Sequence, residues 1–411
     1  MRVDQLAAAW MRTRRALRFS SSQLEARRAR QWRQLQPVLA RTPALAAVAW
    51  GPWEAVPITE IAALRADYGA WNSLGLSTKT LHAMADAAEQ GLATGSLSAG
   101  WSTGSSGAAR GLFLATSKER ADYLGQSLAR LLPARALLAR QRLALHLRAS
   151  NALYSDVQRK RFVFGHFPLN DSNEQTRSAL EAFAPTILIA PPHRLAALAE
   201  AGMNLPTLRH LFVGSEPMGE AERDAITTRL GCASRSIYQA TEGFLGAECA
   251  HGHLHLNDHS LIIELEPVPG TPGYRPIITD LRRVSQPIVR VRGDDYIELG
   301  ASSCPCGFAG RIIYPPQGRV SDVWRFAQCT VTPPQVVAAM ESALGGDALW
   351  QAEARFERVV LHLSPHCLAR DAERASATLI SKCQLPVPVE VVRDLTGWQG
   401  PKRRRVVSHH G

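Results

Sequence analysis

Apolar positions recur along the chain with two periods, and each change of period marks an element. Residues 3–41 repeat at helical spacing, with Leu6, Trp10, Leu17, Leu24, Trp32 and Leu35 set among arginines. Within that stretch "SSSQLEARR" supplies an N-cap and a following helix. Pro52 and Pro57 predict a loop, "PITEIAALRADY" restarts a helix, and 78–93 predicts an alanine-rich one. The run "STGSSG" over 102–107 then breaks the periodicity. Beyond it, "GLFLAT" predicts a short buried strand and "SKERADYLGQSLARLL" an amphipathic helix.

Strands and helices alternate from there. "RFVFGHF", "PTILIA", "LRHLFVGS" and "RSIYQA" predict strands, separated by helical "NEQTRSALEAF", "PHRLAALAEAG" and "GEAERDAITTRLG". Such alternation predicts an α/β sheet with helices on both faces, and ligands then bind at the carboxyl ends of the strands. From residue 254 the period becomes two through "HLHLNDHSLIIELEPV", "YRPIITDLRR" and "PIVRVRGDDYIELG". After Gly318-Arg319, "TPPQVVAAMESAL", "RFERVVLHLSP", "ERASATLISKC" and "PVEVVRDL" predict a small helix–strand–helix–strand unit. The expected fold class is therefore α/β. A large domain of sheets and helices spans 1–318, with a β-rich subdomain over about 250–318, and a small mobile α/β domain spans 319–411.

Composition narrows the class. The chain has 411 residues, 45% hydrophobic and 20% charged, as in globular proteins. No apolar run approaches the ~18 residues of a membrane span, and the N-terminus lacks the order of a secretory signal. Seven cysteines, an odd number, argue against a disulfide framework and for a reducing compartment, so a cytoplasmic protein is expected. The net charge of +11 is concentrated in the first 50 residues, where Arg2, Arg12, Arg14, Arg15, Arg18, Arg27, Arg28, Arg30, Arg33 and Arg41 face only Asp4 and Glu25. That face reads as a solvated helical surface or as a nucleic-acid patch. No zinc-finger spacing or RNA-binding signature accompanies it, which weighs against nucleic acid. Lysine is rare: Lys79, Lys118, Lys160, Lys382 and Lys402 are all there are.

Four groups of residues offer chemistry. Ser102, Thr103, Gly104, Ser105, Ser106 and Gly107 form either a flexible linker or a cradle whose N–H and hydroxyl groups suit phosphate oxygens. "YQATEG" at 238–243 and "RVRGDDY" place acids after strands, and "KRRR" near the C-terminus is a basic tail or a functional lysine. Cys249, His251, His253, His255, Cys304 and Cys306 fall within a short span. The best tetrahedral set for structural zinc is Cys249, His255, Cys304 and Cys306, although the Cys-x-Cys spacing is tight and plain reduced cysteines are the alternative.

The segments carry a family resemblance. "STGSSG" resembles the phosphate loop of adenylate-forming enzymes: acyl-CoA synthetases, luciferases and peptide-synthetase adenylation domains. "YQATEG" resembles their Tyr-Gly-x-Thr-Glu motif, "GRVSDV" at 318–323 their Gly-Arg-x-Asp-Asp hinge, and "GPKRRRVV" their Gly-Lys-x-x-Arg ending. "PIITDLRRVSQPIVRVRGDD" followed by "CPCG" is most similar to the phenylacetate-CoA ligase group.

The resemblance implies an enzyme that activates a carboxylic acid, an aromatic one first, with ATP. An acyl-adenylate and pyrophosphate form, and a thiol such as coenzyme A then takes the acyl group. It assigns Ser102–Gly107 to ATP phosphates, with Arg110 where the loop's usual lysine stands. Gly214, Ser215 and Glu216 would meet adenine and Tyr238 would stack on it. Thr241 would bond the α-phosphate and Glu242 would hold Mg²⁺. Asp295, with Asp294 as its fallback, would accept the ribose hydroxyls, and Arg319 would contact ribose or phosphate. Lys402 would bridge the substrate carboxylate and the α-phosphate. His166 and Phe167 would lie beside the acyl pocket, with Trp101 and Tyr123 as weaker candidates. Ser321 replaces the usual first acid of the hinge, and Asp322 follows. A carrier-protein thiol or an amine as acceptor stays open, as does homodimerisation, and no membrane partner is expected. Arg110 and Ser321 also motivate the alternative of a nucleotide-binding protein without turnover.

Overall fold

The computed structural model describes residues 3–90, 92, 96–102, 110–147, 162–346, 348–397 and 403–409. Five parallel strands lie side by side in the order Ser234–Ala240, His210–Val213, Ile187–Ala190, Gln141–Leu145 and Phe162–His166. Near-continuous apolar runs such as "ILIA" and "HLFV" suit strands covered on both faces. Alternate residues serve opposite faces. Ala144, Leu188 and Leu211 meet Leu180, Leu195, Leu198 and Ile226 of helices Asn173–Phe183, Pro192–Glu200 and Glu220–Leu230. Leu143, Leu145, Ile187 and Phe212 meet Leu124, Leu128 and Leu131 of helix Ser117–Leu131.

That last helix begins in a capping box. Thr116 accepts from the Glu119 N–H, and Glu119 returns to the Thr116 N–H at 2.8 Å, an arrangement worth roughly 1 kcal/mol. Helix Val3–Ala16 lies against it, so close that a Cβ at Gly125 would come within 2.6 Å of the Leu6 carbonyl oxygen. The arginine-rich N-terminal helices are also tied down by charge. Arg12 donates to Asp122 at 2.7 Å, Arg27 to the His259 carbonyl at 2.8 Å and Arg28 to the Asp258 carbonyl at 3.2 Å. Among the described residues no helix is long and apolar enough to cross a membrane.

The β-rich stretch divides differently from the sequence expectation. Gly243–Glu248, Leu254–Leu256 and Ile312–Ile313 extend the parallel sheet in antiparallel fashion, making eight strands. Leu261–Pro267, Tyr274–Asp280 and Val291–Arg292 form a separate four-stranded sheet with Thr59–Glu60. The tight turn at 249–253 folds the chain back onto the large sheet before it leaves for the second one. Short strands Leu97–Trp101 and Gln141–Leu145 were not expected, one hidden by glycine and serine and the other by its polar start. Beyond Val323 lies a third core. Trp324, Val336, Met340, Trp350, Leu361 and Leu379 share it, between helices Pro333–Leu344 and Ala369–Cys383 and the sheet Val389–Val392, Arg358–Leu363, Trp350–Arg355, Val406–Ser408.

Candidate active site

Two adjacent parallel strands end side by side. His210–Val213 runs into Gly214, and Ser234–Ala240 runs into Thr241. Ser215 adopts the left-handed region at φ 77°, a conformation L-residues rarely hold and which concentrates at functional sites. Here a cavity of about 1120 Å³ opens, walled by Gly214, Ser215, Glu216, Tyr238, Thr241, Glu242, Asp295 and Arg319, with Arg403–Arg405 of the last segment also in its lining.

The Glu242 carboxyl is buried. Burial pushes its pKa up and the Asp295 charge adds to this, while its own backbone N–H, Arg283 and Arg65 pull the other way. As a carboxylate in the cavity wall it is the kind of oxygen ligand a hard cation takes beside substrate phosphates. Tyr238 is buried too, and its hydroxyl donates to Asp295 Oδ2 at 2.8 Å. Burial first, then Asp295, raises the phenol well above its ordinary value, so it stays a proton donor. Tyr238 thereby orients the acid assigned to ribose. Arg319 pairs with Asp295 through the backbone. Neighbouring Asp294 accepts from Ser321 N–H at 3.2 Å and Ser321 Oγ at 2.6 Å.

The strands on either side of the serine–glycine run, Leu97–Trp101 and Leu112–Thr116, pair in antiparallel fashion. Thr103, Gly104, Ser105, Ser106 and Gly107 lie outside the described residues. The flanks are fixed. Ser102 N–H donates to the Gly111 carbonyl at 2.7 Å, and Gly111 N–H to Ser102 Oγ at 2.9 Å. A Cβ at Gly111 would stand 3.1 Å from the Thr241 side chain, so this glycine lets the hairpin reach the strand end. Tyr68, which no sequence signal singled out, accepts from Leu112 N–H at 2.8 Å and donates to the Arg110 carbonyl at 3.3 Å. The Arg110 guanidinium, expected to face phosphate, instead pairs with Glu89 and lies 5.8 Å from the Trp101 ring. Its nearest acidic neighbour claims it.

Glu216 also differs from expectation. Its side chain is 2% exposed, and both oxygens are engaged: Oε1 by His193 Nδ1, Oε2 by the Arg403 N–H at 2.8 Å. Burial would raise this carboxyl, but His193 and Arg403 outweigh it and hold the pKa below the ordinary value. Both oxygens are thus already bonded within the protein. Lys402 itself lies outside the described residues.

His166 and Phe167 do not reach the cavity. His166 Nε2 bonds the Leu147 carbonyl at 2.9 Å, and Phe167 packs edge-on against Phe183 with centroids 5.4 Å apart. The strand that leads to them is the outermost of its sheet, with two strands between it and His210–Val213, the nearer of the two whose ends frame the cavity. The apolar arm is lined instead by Tyr123, Leu131, Leu145, Ile189, Phe212 and Phe244, from helix Ser117–Leu131 and the sheet beneath it. Sequence reasoning also missed Arg283, which donates to the Thr241 carbonyl at 2.6 Å, and Glu119, which accepts from the Val284 and Ser285 N–H groups at 2.7 and 2.9 Å. These contacts join segments far apart in sequence and leave no local signature.

Cys249, His255, Cys304 and Cys306 converge. One ligand atom from each lies within 4.8 Å of the others. Cys249 Sγ is 3.6 Å from Cys304 Sγ, and Cys306 Sγ is 3.3 Å from His255 Nε2. His255 Nδ1 stands 2.8 Å from the Gly310 carbonyl, the second contact that fixes a ligating imidazole's tautomer. Backbone N–H groups of His251 and Cys306 point at Cys249 and Cys304 sulfur at 3.3 and 3.5 Å. Three sulfurs and one nitrogen are a donor set of the kind that tetrahedral zinc takes.

No family model matches the sequence, and no curated protein matches it. Solved structures match in fold. A 2-hydroxyisobutyryl-CoA ligase in the postadenylation state, in complex with 2-HIB-AMP, is 18% identical with a TM-score of 0.68, covering 95% of this chain and 91% of that one. The amide bond synthetase McbA from Marinactinospora thermotolerans is 13% identical with a TM-score of 0.54, covering 72% and 65%. The anthranilate CoA ligase AuaEII in complex with anthranoyl-AMP is 15% identical with a TM-score of 0.51, covering 74% and 65%. At these identities the likeness establishes the fold, which is that of the adenylate-forming enzymes.

Proposed function

We propose that this chain activates a carboxylic acid with ATP, releasing pyrophosphate, and passes the acyl group from the adenylate to a thiol, coenzyme A in the first instance. The observation that carries this reading is the convergence of Tyr238, Thr241, Glu242, Asp295 and Arg319 on one cavity whose apolar arm leads away from them. Thr241 and the Ser102–Gly107 loop would bind phosphates, and Asp295, oriented by Tyr238, would hold ribose. Glu242 would hold Mg²⁺, which when bound neutralises phosphate charge. Lys402 would stabilise the charge that builds as the carboxylate attacks the α-phosphorus. Such chemistry rests on positioning and charge neutralisation. The arm lined by Leu131, Leu145, Ile189 and Phe212 suits an acid whose carboxylate carries an apolar group, with aromatic acids the first to test.

Acid-dependent ATP–pyrophosphate exchange over a panel of aryl and aliphatic acids tests the reading. Exchange with at least one acid supports it. ATP binding without exchange for any acid would favour a nucleotide-binding protein without turnover, the reading that Arg110's engagement with Glu89 keeps in play. Product analysis with coenzyme A, a carrier-protein thiol or an amine then fixes the acceptor. We further propose that Cys249, His255, Cys304 and Cys306 hold a structural zinc ion, for which metal content of the purified protein is the measurement.

A further inference from the structure

Three successive arginines follow Lys402, and they do different things. Arg404 pairs with Asp322, and Arg405 NH1 lies 3.6 Å from Glu341, so both bond within the region beyond 318. Arg403 crosses to the large domain. Its guanidinium donates to both oxygens of Glu222, each at 2.8 Å, and to the Pro217 carbonyl at 2.8 Å. Its backbone N–H donates to Glu216 Oε2 at 2.8 Å. One short segment of the large domain, 216–222, therefore encloses a single residue of the last segment. The enclosure is dry: side-chain exposures are 6% for Arg403, 2% for Glu216 and 4% for Glu222.

We propose that Arg403 is a positioning residue, docking the segment that carries Lys402 onto the nucleotide face, with Glu216 and Glu222 as its receptor. The proposal rests on the adenylation reading above. Arg403 is rigidly linked to its own side. Strand Val406–Ser408 begins three residues later and pairs in parallel with Trp350–Arg355, and Trp324 Nε1 donates to the Val407 carbonyl at 2.9 Å. A shift of Arg403 is thus a shift of the whole terminal strand. A planar fork on one carboxylate and a backbone N–H on another fix angle as well as distance. The same contacts can be released. Two acids and a guanidinium regain water when the surfaces part, so a buried pair of this kind comes near to breaking even and specifies register more than it adds stability. Docking that is specific yet reversible is what a two-step reaction on one site requires.

The test uses the full chain with Arg403→Met, which keeps length and loses the fork. Small-angle scattering reads the arrangement of the domains, and exchange with benzoate, phenylacetate and octanoate reads the first step. The expected result is a larger radius of gyration and an exchange kcat lower by about 30- to 100-fold, the scale of a misplaced reacting group. ATP affinity changes less than about threefold, which a merely structural defect would not spare, and Arg403→Lys recovers part of the rate. Glu222→Gln shows the same pattern more weakly, and serves if Arg403→Met does not fold. A variant with unchanged scattering and an exchange rate within about threefold of wild type overturns the proposal. If the wild type exchanges with no acid, the adenylation reading fails, while scattering still decides whether Arg403 docks the segment.

Discussion

Two strand ends lie next to each other in the large sheet, and each presents a buried glutamate, Glu216 after one and Glu242 after the other. Their situations are opposite. Glu216 is saturated by His193 and Arg403 and sits below the ordinary carboxyl pKa. Burial and the Asp295 charge push Glu242 above it. Residues that look alike in sequence, each an acid just beyond a parallel strand, are thus spent on different tasks. One is filled by the protein itself and joins two parts of the chain. The other lines the cavity, where burial and Asp295 make its charge costly. Charge satisfaction, rather than position at the strand end, separates the two acids.

The largest effect should come from Lys402→Ala. If the segment held at Glu216 delivers the cation for the developing charge, exchange falls by about 100- to 1,000-fold with ATP affinity retained. A rate within a few-fold of wild type would detach Lys402 from the chemistry and leave the Glu216 side purely architectural. Next comes the Cys/His cluster. Wild type should carry stoichiometric zinc, and Cys304→Ser should lose it together with several degrees of thermal midpoint, since metal binding to a formed site is stabilisation. Metal-free wild type, with a midpoint that Cys304→Ser leaves unchanged, would reduce the four residues to ordinary side chains.

The two glutamates can be compared directly by Glu216→Gln and Glu242→Gln. Glu216→Gln should cost roughly 2–3 kcal/mol, the worth of charge-assisted bonds lost to His193 and Arg403. Glu242→Gln should cost little stability, because it replaces a carboxyl whose charge burial already disfavours, yet exchange should fall by about 100-fold. The pH slopes have opposite signs. A raised pKa means that folded Glu242 keeps its proton where the unfolded chain has lost it, so its contribution falls as pH rises above the ordinary 4.5. Glu242→Gln should therefore gain on wild type as pH rises from that value. Glu216, lowered, gives its full contribution above 4.5 and loses it as pH falls through a value below that. Its variant's deficit should stay flat above 4.5 and shrink only in acid. Thermal midpoints across that range check both, and parallel slopes would erase the distinction.

The strand-by-strand alternation of the large sheet was legible because parallel strands covered on both faces are apolar throughout, as in "ILIA" and "HLFV". The motifs "YQATEG" and "RVRGDDY" singled out Tyr238, Thr241, Glu242 and Asp295, and all four line one cavity. The Cys/His set was legible from residue type alone. What was not legible depended on partners distant in sequence. Nothing near Arg110 announces Glu89, nothing near Glu216 announces Arg403, and Tyr68 closes the hairpin from 44 residues away. His166 was misplaced for the same reason: its strand's rank in the sheet, at the edge, is a property of the whole topology.

The smallest effect expected is that of Tyr238→Phe, and it separates stacking from orientation. The ring lines the cavity, and the hydroxyl holds Asp295 Oδ2 at 2.8 Å. If the ring's contact with adenine is what matters, phenylalanine preserves it and ATP binding is unaltered. If the hydroxyl's grip on Asp295 matters, the carboxylate loses its fixed direction and the KM for ATP rises by about three- to tenfold, equivalent to a hydrogen bond of ~1 kcal/mol, while kcat hardly moves. The buried hydroxyl leaves with its bond, so no donor is stranded and stability should change little. Asp295 then faces Glu242 without its neutral donor, and the mutual repulsion of the two acids is felt most when no cation is present. The KM increase should accordingly shrink at high Mg²⁺. An increase independent of Mg²⁺ would place Asp295 outside the electrostatic reach of Glu242, and the two acids would act separately.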